Sequence, residues 1–113
     1  MGFFVFDDTR AIPLDDRVLA HLQIVIVDKL RRRESFGLNL KSDGAMVTMW
    51  LSCYTPLQFI YEGNRQPRIN WRWVDLLAAE AGFTGMLELR PEPTELRPEP
   101  TEAVPTVAKA GAA

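Results

Sequence analysis

One cysteine and one histidine are all that the 113 residues provide of the side chains that most often hold transition metals. Metal ligands come in sets, so a zinc site of the Cys/His type is excluded, and Cys53 alone cannot close an internal disulfide. A chain without disulfides fits a reducing compartment. No apolar run approaches the roughly 20 residues needed to cross a bilayer, and the N-terminal FFVF is short and lacks a basic flank. We therefore expect a cytoplasmic protein that makes no use of a membrane. No Gly-rich phosphate loop precedes a helix, Ser35, Ser42 and Ser52 lack a nucleophile-elbow context, and Cys53 has no evident histidine partner. The sequence thus names no cofactor and no catalytic constellation.

A dominant charge is missing too. The formal net charge is −2. Residues 1–90 hold 11 basic and 11 acidic side chains, so the deficit lies in residues 91–113, where Glu92, Glu95, Glu99 and Glu102 face Arg97 and Lys109. A neutral domain lacks the footprint of a protein that coats DNA, and leaves room for a local basic patch.

What is present is one long, well-signalled helix, DDRVLAHLQIVIVDKLRRRE, from Asp15 to Glu34. At 100° per residue, Val18, Leu19, Leu22, Val25, Ile26 and Leu30 form a broad apolar arc that should face a core. A second stripe, Ala20, Ile24 and Val27, lies apart from it, which predicts cover on two sides, from the same domain or from a partner. Asp15 or Asp16 caps the start, and Lys29, Arg31, Arg32 and Arg33 suit the negative end of the helix dipole. His21 falls on the polar strip with Arg17, Asp28 and Arg32, which predicts a solvated histidine.

Gly2–Phe6 and Ala11–Leu14 read as a hairpin leading into that helix, with Pro13 marking the second strand as an edge. Residues 36–40 and Ala45–Leu51 alternate on either side of Lys41-Ser42-Asp43-Gly44, and Asp-Gly between alternating strands signals a tight hairpin. Leu57–Tyr61 reads as a further strand. Asn70 caps a second helix, Trp71–Ala81, that Gly82 should close, with Trp73, Val74, Leu77, Ala78 and Ala81 inward. Met86–Leu89 completes the set. The fold class expected is α+β, an antiparallel sheet of five to six strands in the order β-β-α-β-β-β-α-β on one long and one shorter helix, as a single domain over residues 1–90. In residues 91–113 the pattern gives way to a Pro/Glu-rich tail in which LRPEPTE, starting at Leu89, occurs twice, and such a tail should remain disordered.

Two surfaces suggest binding. Lys29, Arg31, Arg32 and Arg33, with Arg65, Arg68, Trp71 and Arg72 around the start of the second helix, join guanidinium groups to an aromatic, as a weak nucleic-acid site would. Ala20, Ile24 and Val27 instead suggest a homodimer or a protein partner. The residues favour a non-catalytic binding or accessory module.

Four spans carry a resemblance: DDRVLAHLQIVIVDKLRRRESF, WLSCYTPLQFIYEGNRQP, Ile69-Asn70 followed by the helix with Trp73, and LELRPEP. Together they resemble a family of short actinobacterial proteins of unknown function, many of which carry the name "ATP-dependent DNA ligase". The resemblance covers nearly all of residues 1–93 and implies no catalytic residue. This chain departs from the family at Phe6-Asp7, Leu40, Lys41–Gly44 and Gly85-Met86. DNA ligases form a lysyl adenylate in a Lys-x-Asp-Gly motif, which makes Lys41 the one ligase-like candidate. Phosphoryl chemistry also needs metal-holding acids and further phosphate-binding lysines, and the hairpin already accounts for the tetrapeptide.

Overall fold

The first two strands, β1 (Gly2–Phe6) and β2 (Arg10–Leu14), form a hairpin whose tip places Asp7 and Asp8 in the left-handed region, at φ 53° and 57°. A computed structural model of the chain describes residues 1–94. Next come α1 (Asp16–Arg31), β3 (Phe36–Ser42), β4 (Ala45–Leu51), β5 (Leu57–Ile60), α2 (Trp71–Thr84) and β6 (Met86–Glu88). The fold is α+β with the expected order of elements. Its strands, however, divide into two sheets, β2-β1-β5 and β4-β3-β6, and β6 runs parallel to β3. At Gly37 the Met86 thioether lies over the bare Cα, filling the place a Cβ would take. Alternation alone does not say which strands pair, or in which direction.

α1 starts where the Asp15 carboxylate accepts from the Arg17 N–H at 3.1 Å. It ends three residues earlier than expected, because Arg33 adopts φ 61° and turns the chain toward β3. α2 starts at Asn70, whose side-chain oxygen accepts from the Arg72 and Trp73 N–H groups. It runs through Gly82, an affordable cost of about 1 kcal/mol in a helix interior, and stops at Gly85, φ 80°.

The helices and the inner faces of both sheets share one core. α1 contributes Leu19, Leu22, Val25 and Ile26; α2 contributes Trp73, Val74, Leu77 and Ala81; the strands contribute Phe4, Ile12, Phe36, Leu38, Leu40, Met49, Leu51 and Leu87. Val18 and Leu30, at the margins of the predicted arc, are partly buried against it. Each fully buried aliphatic or aromatic side chain contributes roughly 1.5–3 kcal/mol, so this cluster supplies most of the drive to fold.

Past the expected domain boundary at residue 90, residues 91–94 bond back to the helices through Glu92, Pro93 and Thr94. The remainder of the predicted tail, with the second LRPEPTE copy, lies outside the described residues.

Candidate interaction surfaces

The arginine-rich end of α1 pairs with acids from its own neighbourhood. Arg32 donates to Asp28 at 2.8 Å and to Glu34 at 2.7 Å, and Arg31 stands 3.6 Å from Asp28. The Arg32 hydrogen bond holds the Asp28 carboxyl below its usual range. Lys29 was expected at the surface, and the structure corrects this: its side chain is 6% exposed, with its ammonium 3.1 Å from Glu34 and 5.7 Å from the centre of the Phe36 ring. Burying the aliphatic stem requires a partner for the charge, and Glu34 provides it. Arg33 is exposed.

The start of α2 lies against the other end of α1. His21, expected in solvent, is completely buried and is therefore a second correction. The Asn70 backbone N–H donates to His21 Nε2 at 2.8 Å, so the ring proton sits on Nδ1 and is donated to the Arg17 carbonyl at 2.7 Å. Its ring lies 4.6 Å from that of Trp73. Burial lowers the His21 pKa below 6.5. Arg17 grips Glu92 through Nε and Nη2, at 2.9 and 2.5 Å, and donates to the Arg68 carbonyl at 2.6 Å. Asn70 adds its side-chain N–H to Glu92 at 2.9 Å. These donors hold the Glu92 carboxyl down at about 2.

The carboxyl-end arginines of α1 and the start of α2 therefore lie toward opposite ends of that helix. His21, against which α2 starts, and Arg32 are roughly 16 Å apart along α1 at about 1.5 Å per residue. Trp71 is 48% exposed, Arg65 and Arg68 lie on the surface beside it in sequence, and Arg72 donates to the Thr94 carbonyl at 3.0 Å.

The apolar stripe of α1 lines a groove. Ala20, Gln23, Ile24, Val27, Asp28 and Arg31 form one wall, and Tyr61, Gln66 and Ile69 the other, around about 380 Å³. A second lobe of about 290 Å³ continues past Gly63, Asn64, Arg65 and Pro67. Tyr61 spans the groove by donating to Gln23 Oε1 at 2.5 Å, and burial raises its pKa. Asp16 fixes the loop by accepting from the Glu62 and Gly63 N–H groups, at 3.2 and 2.9 Å. Ala20 is thus covered by its own chain, while Val27 remains 46% exposed.

Lys41 is exposed on β3, next to a hairpin in which Asp43 and Gly44 take φ 53° and 78°. Among the described residues no three His, Cys, Asp or Glu side chains gather as a metal set. Among the same residues no helix is long and apolar enough to cross a membrane.

A family model described as Domain of unknown function (DUF7882) matches residues 1–92, the span that closes with Glu92 on Arg17. The chain belongs to this family. No curated protein and no solved structure matches it. Every element that builds the core, the groove and the His21 network falls within the matched span.

Neither Glu92 nor the burial of His21 was found from the sequence. The available signal was Asn70, a cap whose own backbone N–H must find an acceptor once buried.

Proposed function

We propose that this domain is a non-catalytic interaction module that takes an extended protein segment along the α1 groove. The observation that carries the reading is the make-up of that groove: apolar Ile24, Val27 and Ile69 beside the hydrogen-bonding side chains of Gln23, Gln66, Asp28 and Arg31. Apolar contact area bordered by hydrogen-bonding groups is what a protein interface uses. Ile24→Glu, with the fold checked by circular dichroism, tests it by capture from the source cell with and without nuclease. A partner that withstands nuclease and is lost with Ile24→Glu supports the reading. Capture that ignores Ile24→Glu, or that disappears with nuclease, overturns it. A homodimer formed through Ile24 and Val27, the part of the stripe that its own chain leaves open, would instead be a particle of twice the mass that Ile24→Glu dissolves.

A nucleic-acid reading draws support from Trp71, half exposed at the start of α2 with Arg65 and Arg68 close in sequence. Few phosphates could be reached, so binding would be weak and fall steeply with salt. Fluorescence anisotropy with single-stranded oligonucleotides at low salt should then show binding that Trp71→Ala removes and that Arg31/Arg32/Arg33→Ala leaves in place. For Lys41, incubation with labelled ATP and magnesium should leave the protein unlabelled. A covalent adduct lost in Lys41→Ala would establish nucleotidyl transfer.

A further inference from the structure

The two sheets have four outer strands: β2, β5, β4 and β6. An edge strand exposes a row of unpaired backbone groups, and proteins blunt such edges with charge, proline or shortness. β2 carries Arg10 and Pro13, β5 has four residues, and β6 has three, one of them Glu88. β4 has none of these defences. Its seven residues, AMVTMWL, contain no charge and no proline, and it pairs with β3 alone among the described strands.

The register shows which groups face outward. The Ser42–Ala45 pair closes a two-residue hairpin, so Val47, Met49 and Leu51 also bond to β3, and Met46, Thr48 and Trp50 turn their N–H and C=O groups to the open side. Gly37 confirms the phase: it lies opposite Trp50, and its N–H goes instead to the Gly85 carbonyl at 3.0 Å. The side chains of Met46 and Trp50 are 59% and 62% exposed on the face away from the core.

We infer that β4 is a self-association edge, and that its occupant is the β4 strand of a second copy, antiparallel across a twofold axis at Thr48. This pairing goes beyond the groove reading and uses a different face. The case for a second copy is self-complementarity. With Thr48 opposite Thr48, Met46 lies opposite Trp50 on both sides of the axis, so about six backbone hydrogen bonds form. Each Trp50 gains a methionine thioether as its cross-strand neighbour, a favourable sulfur–aromatic contact. The polar row already built on this face, in which Thr48 donates to Asn39 at 2.5 Å and Asn39 to Glu88 at 2.8 Å, continues across the axis with no like charges placed opposite one another. Two three-stranded sheets become one of six strands. A seam one strand wide falls below the roughly 1,200 Å² of a standard interface, so the dimer should be concentration-dependent.

Sedimentation of the full chain over a wide concentration range tests this, with the apparent mass expected to climb from 12.8 kDa toward twice that value. Thr48→Pro removes an outward N–H without touching the β3 ladder and should hold the protein at 12.8 kDa with its circular dichroism unchanged. Thr48→Cys in a Cys53→Ser background should crosslink on mild oxidation, because a hydrogen-bonded pair sets the two Cα atoms about 5.5 Å apart. Met46→Cys in the same background should not, since its opposite is Trp50. A monomer at every concentration overturns the proposal, as does a dimer that survives Thr48→Pro. Should Thr48→Pro fail to fold, the crosslinking pattern decides. A dimer dissolved by Ile24→Glu but still formed by Thr48→Pro places the contact on the α1 groove and overturns the β4 edge, whereas loss of groove binding alone leaves it intact.

Discussion

The two ends of α1 carry the same kinds of side chain and treat them in opposite ways. At the carboxyl end, Arg31 and Arg32 pair with Asp28 and Glu34, acids within a few residues of them. At the amino end, Arg17 and His21 bond to Glu92 and Asn70, which are 75 and 49 residues away. The first set decorates a helix that exists without it. The second joins α1 to the start of α2 and to the chain beyond β6, and an unmade His21–Asn70 bond strands a buried donor or acceptor. Sequence distance between partners, more than charge, separates a solvated face from a structural joint.

The largest test of this contrast is His21→Ala. It opens a cavity beside Trp73 and orphans the Asn70 N–H, and should cost about 2–4 kcal/mol, seen as a fall in Tm of at least about 10 °C. Glu92→Ala removes a bidentate partner from Arg17 and an acceptor from Asn70, and should cost about 1–2 kcal/mol by urea unfolding. Arg32→Ala at the opposite end should move Tm by no more than roughly 2 °C. An equal loss from Arg32→Ala and His21→Ala would erase the distinction between the two ends.

Acid should sharpen it. The folded state holds the His21 pKa below 6.5, so the unfolded chain takes up the proton first, and stability declines as pH falls below 6.5. Glu92 is held at about 2 against an ordinary 4.5, so its contribution is complete above 4.5 and is lost as pH falls from there toward 2. Denaturation followed against pH should show both declines, and Glu92→Ala should flatten the lower one while deepening the upper, because it removes a carboxylate whose charge raises the His21 pKa.

The same contrast explains what the sequence disclosed. The apolar arc of α1, the Asn70 cap, the Asp43-Gly44 turn and the inward face of α2 are local patterns, and all of them stand in the fold. The division into two sheets, the parallel β3–β6 pair, the burial of His21 and the anchoring of Glu92 each depend on which distant segment arrives beside a residue, and helical or strand periodicity does not encode that. Gly82 is the first glycine after the apolar face of α2 and so reads as its stop, yet it stays helical and Gly85 takes the left-handed conformation that ends the helix. Of the candidate sites, the stripe Ala20, Ile24 and Val27 was legible as a face, whereas its opposite wall, Tyr61, Gln66 and Ile69, comes from a loop without periodicity.

The most direct measurement is the NMR titration of the His21 imidazole. The joint at the amino end of α1 predicts a neutral ring with its proton on Nδ1, protonating only below pH 6.5 and with loss of the fold. A ring that titrates near 6.5 while the fold persists, with both nitrogens exchanging freely with water, would contradict it.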